Sequence, residues 1–295
     1  MRRRVLAAIA CLGLSCGPSG DAPARAAAPP APATPASAPP SPAAAERWQA
    51  LAPGVEVGRF PARRKAPVGD SVITVVRVDP RHHAFRLLSA ALLKKTANPT
   101  AAEWAGEPGV LGVINASMYR SDQRTSVGYM RDGTAVNNGG WSKDRAAFVA
   151  GPTRAGLPAV QILDESCQDL RGLAASYRVV AQNIRMIDCQ RHNVWAPQPR
   201  RWSTACVGTD AAGRVLLIHA RSPFTTHDLV DELLALPLDL QRLMYVEGGP
   251  EASLYVAVGG KAVVSEMGSF ETGFFEGDQN RVFWPLPNVL AFGPR

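Results

Sequence analysis

Long apolar runs are missing from this sequence. No stretch reaches the roughly 18 residues that a membrane-spanning helix needs, and the one candidate, Val5 to Leu14, is too short. Cysteine is scarce. Of five in all, Cys11 and Cys16 lie at the very start, which leaves Cys167, Cys189 and Cys206, and no spacing among them resembles a zinc site. Histidine is scarce too: His82 and His83 adjoin, while His192, His219 and His227 are scattered, so no metal-ligand pattern emerges. Neither a metal nor another cofactor is expected. Basic residues exceed acidic ones, giving a formal charge of +7, but Arg2, Arg3 and Arg4 belong to the leader. The only compact basic cluster beyond it, Arg63-Arg64-Lys65, reads as solvated surface. There is no basic stripe with interleaved aromatics, so a nucleic-acid partner is not expected.

What is present begins with an export signal. Met1-Arg2-Arg3-Arg4 is a charged start, Val5 to Leu14 an apolar segment, and Gly13-Leu14-Ser15-Cys16 resembles the site at which a lipoprotein is cut and lipidated on the cysteine. Residues 1–16 are therefore read as a lipoprotein-type signal with lipidation at Cys16, facing periplasm or cell surface. An ordinary secretory peptide cut in the Ala-rich stretch is the alternative. Residues 17–46 form an Ala/Pro-rich linker; Gly17 to Ala45 holds nine prolines. Such a segment buries too little apolar surface to fold, and its prolines stiffen it into a tether. Export places Cys167 and Cys189 in an oxidising compartment, where they could close a loop as a disulfide; Cys206, in an apolar strand pattern, reads as a buried free thiol.

Residues 47–295 then suffice for one large domain. Val72 to Val78 is β-branched and reads as a strand, with Phe85 to Ser89 as its partner. Ala101 to Ala105 reads as a short helix. Further strands fit Gly109 to Ile114, Ala146 to Ala150, Ala159 to Leu163, Tyr177 to Ala181, Ala205 to Thr209, Arg214 to His219 and Leu243 to Val246. Gly128 to Val136 looks like a hairpin turning at Asp132-Gly133. Thr225 is placed to cap the best helix, with Asp228 three residues on and Leu229, Val230, Leu233 and Leu234 on one face. The expected fold is α+β: a large mixed β-sheet core with few flanking helices.

Polar side chains and backbone punctuation coincide at three strand ends. Asn115-Ala116-Ser117-Met118-Tyr119 offers an amide and a phenol suited to sugar hydroxyls; the plainer alternative is an Asn that satisfies backbone groups in a turn. Arg200-Arg201-Trp202-Ser203-Thr204 sets arginine beside hydroxyls, a combination suited to an oxyanion, or else simply starts a strand. Glu247-Gly248-Gly249-Pro250-Glu251-Ala252-Ser253 places a carboxylate where an apolar strand ends. Paired glycines there allow close approach, and Pro250 is set to open a short helical turn.

Taken in order, these segments, with Val127-Gly128-Tyr129, Asp132-Gly133 and Gln182 to Met186 between them, resemble the phosphodiester glycosidase family over roughly Val72 to Val256. Two departures stand out. Glu247 occupies the place of the family's usual Asp, and Trp202 alters the spacing between Arg201 and the hydroxyl pair. The resemblance implies hydrolysis at an anomeric carbon of a carbohydrate or glycosyl-phosphate substrate whose leaving group is a phosphate monoester. It implies Arg201 on the phosphate, Glu247 activating water or stabilising the oxocarbenium ion, and Asp122 as a second carboxylate. Asn115, Tyr119 and Gln182 would hold the sugar, and Ser203, Thr204, Gly248 and Gly249 would complete the substrate site. A non-catalytic carbohydrate-binding lipoprotein on the same scaffold is the rival expectation.

Overall fold

The computed structural model describes residues 47–295. The export signal, the linker and the proposed lipidation of Cys16 lie outside the described residues. The strands are β1 (Trp48–Ala52), β2 (Val55–Pro61), β3 (Val72–Val78), β4 (His83–Ser89), β5 (Gly112–Asn115), β6 (Met130–Asp132), β7 (Ala135–Asn138), β8 (Ala146–Pro152), β9 (Val160–Asp164), β10 (Tyr177–Arg185), β11 (Trp202–Asp210), β12 (Val215–Phe224), β13 (Leu240–Gly248), β14 (Ser253–Val258), β15 (Lys261–Met267) and β16 (Asn288–Pro294). Three short helices, α1 (Ala101–Ala105), α2 (Leu170–Ala174) and α3 (Thr226–Ala235), and one 3-10 turn, Gly249–Glu251, complete the described elements.

The strands make two sheets. The larger runs β1-β2-β3-β12-β11-β13-β10-β6-β7, with β8 also on β10 and β9 on β8; the smaller runs β15-β14-β5-β16-β4. Every pairing between named strands is antiparallel. The expected mixed sheet is thus corrected to two antiparallel sheets, and the fold is mainly β. The physical reason lies in the connections: most joints between sequence-adjacent paired strands are tight turns such as Asp210–Arg214, which return the chain antiparallel, whereas parallel neighbours need crossover segments of a dozen residues or more.

The sheets face each other across one apolar core. Val57, Val76, Val207, Leu217 and Met244 of the larger sheet meet Ile114, Leu254, Leu290 and Phe292 of the smaller, the arrangement of a two-layer β-sandwich. On its far side the smaller sheet is covered by α1, whose Trp104 is fully buried and donates its indole N–H to the Leu286 carbonyl at 2.9 Å. The far side of the larger sheet carries α3 through Leu229, Val230 and Leu233. Thr225 caps α3, its hydroxyl accepting from the Asp228 N–H at 3.0 Å. The Arg63-Arg64 pair, read from sequence as solvated surface, is exposed and lies along the acidic side of α3: Arg63 reaches buried Glu232 and Arg64 pairs with Asp228.

Cys167 and Cys189 are joined by a disulfide with Cα atoms 6.4 Å apart, and Cys206 is a buried free thiol whose ionisation burial strongly disfavours. The disulfide ties the turn after β9 to the segment after β10, beside the Asp164–Arg185 ion pair at 2.8 Å.

Candidate active site

The α3-bearing face of the larger sheet also holds a cleft of about 320 Å3 where β10 and β13 end and β11 begins. Tyr245 and Glu247, near the end of β13, both line it. An extra residue at Val246 breaks the register against Ala205 and Cys206 just before Glu247, as bulges commonly do beside functional sites. Tyr245, Trp195 and Trp202 form an aromatic wall, with ring centroids 5.4 Å apart for Trp195–Tyr245 and 6.5 Å for Trp202–Tyr245. Met118 and Ile184 add apolar surface; Arg200, Glu247, Glu271 and the Gly248-Gly249 backbone supply the polar groups.

Both glycines are required by contact. A Cβ on Gly248 would collide with the Tyr245 hydroxyl and come within 2.7 Å of Trp202. Gly249 has φ of 72°, and a Cβ there would stand 2.7 Å from Glu271 Oε2. The carboxylate of Glu271 therefore lies directly over the turn. It is delivered by a strap that follows β15. Ser203 pins the strap through its hydroxyl, which accepts from the N–H groups of Ser269 (2.9 Å) and Phe270 (3.1 Å). Residue 271 itself bridges to Trp202 and Phe275.

Three glutamates thus gather at the turn. Glu247 is almost wholly buried, and its own carboxylate oxygen accepts the Gly248 N–H at 3.0 Å. Burial above all, and then the charges of Glu251 and Glu271, raise its pKa from 4.5 to about 8, against the lowering effect of that N–H. Burial likewise raises Glu251, with Glu271 adding to it. The Tyr119 hydroxyl faces Glu251 Oε1 at 3.5 Å, and burial with the nearby glutamates makes the phenol harder to ionise. A buried carboxyl that keeps its proton near neutrality is the form a general acid needs.

The sequence-derived site residues divide into two groups. Glu247, Gly248 and Gly249 line the cleft, and Tyr119 stands behind the turn against Glu251. The others serve the scaffold. Asn115 is buried and uses both ends of its amide on the turn, accepting from the Ser253 N–H at 2.7 Å and donating to the Glu251 carbonyl at 3.0 Å. Gln182 stitches Tyr129 and Ser142 to β10. Ser203 holds the strap, and the Thr204 hydroxyl makes only a long contact to the Trp202 carbonyl at 3.4 Å. Asp122 is spent on its own loop, accepting from the backbone of Arg124 and Thr125 and from the Thr125 hydroxyl, which draws its pKa down to about 2. The Arg201 N–H donates to the Thr272 hydroxyl and its carbonyl accepts from the Thr272 N–H, both at 3.0 Å, and it is Arg200 that lines the cleft, with its guanidinium 3.3 Å from Glu271. Arg200 reaches over the Trp202 ring, with its guanidinium carbon 5.8 Å from the centroid.

The sequence reading did not select Arg200, Trp195, Tyr245, Glu251 or Glu271. Glu251 lies within the Glu247 to Ser253 segment, and Tyr245 within the apolar run before it. Glu271 had no local signal, because its place depends on the strap. A second hollow of about 530 Å3 is lined in part by Arg221 and Asp278, but that guanidinium is engaged with the Asp278 carboxylate and with the carbonyls of Met267 and Asn280.

The profile of the phosphodiester glycosidase family matches residues 108–292, a span that includes the cleft, the turn and the strap. The chain belongs to the phosphodiester glycosidase family. Among solved structures, the catalytic domain of zebrafish N-acetylglucosamine-1-phosphodiester alpha-N-acetylglucosaminidase, auto-inhibited by its pro-peptide, aligns with a TM-score of 0.59 and 13% identity, over 84% of this chain and 86% of that one. A hypothetical protein from Synechocystis aligns with a TM-score of 0.51 and 12% identity, over 82% of this chain and 62% of that one. At such identities the likeness is one of fold. No curated protein sequence matches significantly.

Proposed function

We propose that this phosphodiester glycosidase family member hydrolyses the glycosidic bond of a sugar-1-phosphodiester or a related cell-envelope glycoconjugate, with Glu247 as the working carboxylate. The observation that carries the reading is the position of Glu247. It is a buried carboxyl at the end of a core strand, facing a cleft walled by Trp195, Trp202 and Tyr245. Aromatic faces suit the C–H face of a pyranose ring, while a carboxyl beside them meets the anomeric centre. Family membership supports the same bond type, and the fold likeness to a glycosidase catalytic domain agrees with it.

Asn115 acts through the turn and is a positioning residue, as are Gln182 and Ser203. The protein is exported and anchored through a lipid on Cys16. Its disulfide fits an oxidising compartment, and the Pro-rich linker gives the domain reach from a membrane.

The test is a panel of sugars, each offered as the 1-phosphodiester and as an ordinary glycoside, with release of reducing sugar measured for the purified domain. Turnover of any member that is lost in Glu247→Gln supports the reading. Saturable binding of a sugar with no turnover across the panel would replace it with the non-catalytic carbohydrate-binding alternative.

A further inference from the structure

The cleft lacks the unpaired cation that a phosphate monoester leaving group calls for. Glu247 and Glu271 face it, and Glu251 stands beside the same turn. The one cation among its lining residues, Arg200, is already paired with Glu271 at 3.3 Å and stacks toward Trp202 with its guanidinium carbon 5.8 Å from the ring. Arg201, which the family resemblance would place on the phosphate, is not among the residues lining the cleft. A phosphodiester seated here would find no unpaired cation among the lining residues to take up the charge of its phosphate. A second carboxylate, by contrast, is built in with care. Glu271 Oε2 occupies the space that a side chain at residue 249 would fill, and the strap bearing it is fixed by the buried Ser203 hydroxyl and by backbone bridges to Trp202 and Phe275.

We infer that Glu271 is a second catalytic carboxylate, paired with Glu247 across the cleft, and that the substrate is a glycoside whose aglycone leaves as a neutral alcohol rather than as a phosphate. This deepens the glycosidase reading and rests on it. In the step, the glycosidic C–O bond breaks as the protonated Glu247 carboxyl gives its proton to the departing oxygen, so that the aglycone leaves as an alcohol. Water forms the new bond to the anomeric carbon and gives its proton to the Glu271 carboxylate. Glu271 then releases that proton and Glu247 takes one from solvent, so the net reaction is glycoside plus water to free sugar plus alcohol. A neutral alcohol is a poor leaving group and needs the acid; a phosphate monoester anion does not. The groups facing Glu247 are Gly248 N–H, Tyr245, Glu271 and Glu251, the last with Tyr119 behind it. Arg200 faces Glu271.

The experiment uses the sugar selected by the panel in three forms: a 4-methylumbelliferyl glycoside, a 2,4-dinitrophenyl glycoside and the methyl diester of the sugar 1-phosphate. Expected for the parent is faster turnover of the 4-methylumbelliferyl glycoside than of the phosphodiester, by at least about tenfold. Glu247→Gln should lose about 100-fold on the 4-methylumbelliferyl glycoside and far less on the dinitrophenyl one, whose leaving group needs no proton. Glu271→Gln should lose about 100-fold on both, and Glu271→Asp should recover part of it. Because the strap is anchored by Ser203 and by backbone bridges, Glu271→Gln should keep the parent's circular dichroism and urea midpoint. If Glu271→Gln fails to fold, the leaving-group comparison between parent and Glu247→Gln still decides the aglycone. Faster hydrolysis of the phosphodiester, or a folded Glu271→Gln that matches the parent, would overturn the inference and leave the glycosidase reading intact. A parent that turns over none of the panel would remove both.

Discussion

Glu247 should leave a mark on stability that needs no substrate. Burial, reinforced by Glu251 and Glu271, holds its pKa at about 8 in the folded chain, against 4.5 for the free side chain. Between those values the native state keeps a proton that the unfolded state has released, so a rise in pH favours unfolding. The contribution is complete below about pH 4.5, fades as pH rises, and is gone once pH passes about 8. At about 1.4 kcal/mol per pH unit, the stretch from pH 6 to about 8 is worth about 3 kcal/mol. Glu247→Gln replaces the protonated carboxyl with a neutral amide of nearly the same shape and removes this term. Urea unfolding of parent and variant at pH 6 and pH 9 reads it, since titrations away from the turn are common to both proteins. The parent should lose about 3 kcal/mol more than the variant between the two pH values. Parallel losses, agreeing within about 0.5 kcal/mol, would show that Glu247 ionises as an ordinary surface acid, and the buried-acid argument would fail.

Three further outcomes follow from contacts around the site. Cys167→Ser with Cys189→Ser opens a loop of 22 residues and should lower stability by about 3 kcal/mol, read as a shift in urea midpoint between the double variant and the parent. Asn115→Ala strips two hydrogen bonds from the backbone of the 249–253 turn; it should cost about 2–3 kcal/mol in unfolding experiments and lower kcat, because the turn that sets Glu247 loses its anchor. Gly249→Ala forces a side chain into a left-handed position against Glu271; a cost of about 1–2 kcal/mol by thermal or urea unfolding is expected, with turnover reduced more than stability alone explains.

Much of the framework was legible because it is local. The strand at Val72–Val78, the helix at Ala101–Ala105 and the capped helix after Thr225 occur where β-branched runs and cap residues put them. The disulfide followed from export and loop closure. The pairing of strands into two antiparallel sheets did not, because register and neighbour are long-range choices: β12 pairs with β3, and β5 lies between β14 and β16. The candidate site shows the same division. Glu247 and its glycines were legible as a carboxylate at the end of an apolar strand. Asn115 and Gln182 were legible as important polar groups, but their partners are distant backbone atoms, so sequence alone could not distinguish holding a sugar from holding a turn. Arg200 and Arg201 adjoin, and Arg200 faces the cleft through contacts with Glu271, 71 residues away, and Trp202, the first of which no local pattern reveals. Glu271 comes from a strap whose course is fixed by Ser203, 68 residues earlier by number, and nothing near residue 271 in the sequence announces it.

The account stands most directly on Glu247 acting in turnover. The measurement is kcat/KM for the parent, Glu247→Gln and Glu247→Asp on whichever substrate the parent hydrolyses, with unchanged circular dichroism as the control for folding. The account predicts a loss of about 100-fold or more for Glu247→Gln, with part of the activity kept by Glu247→Asp, which preserves the carboxyl and shortens only its reach. A folded Glu247→Gln that hydrolyses the substrate as fast as the parent would contradict it.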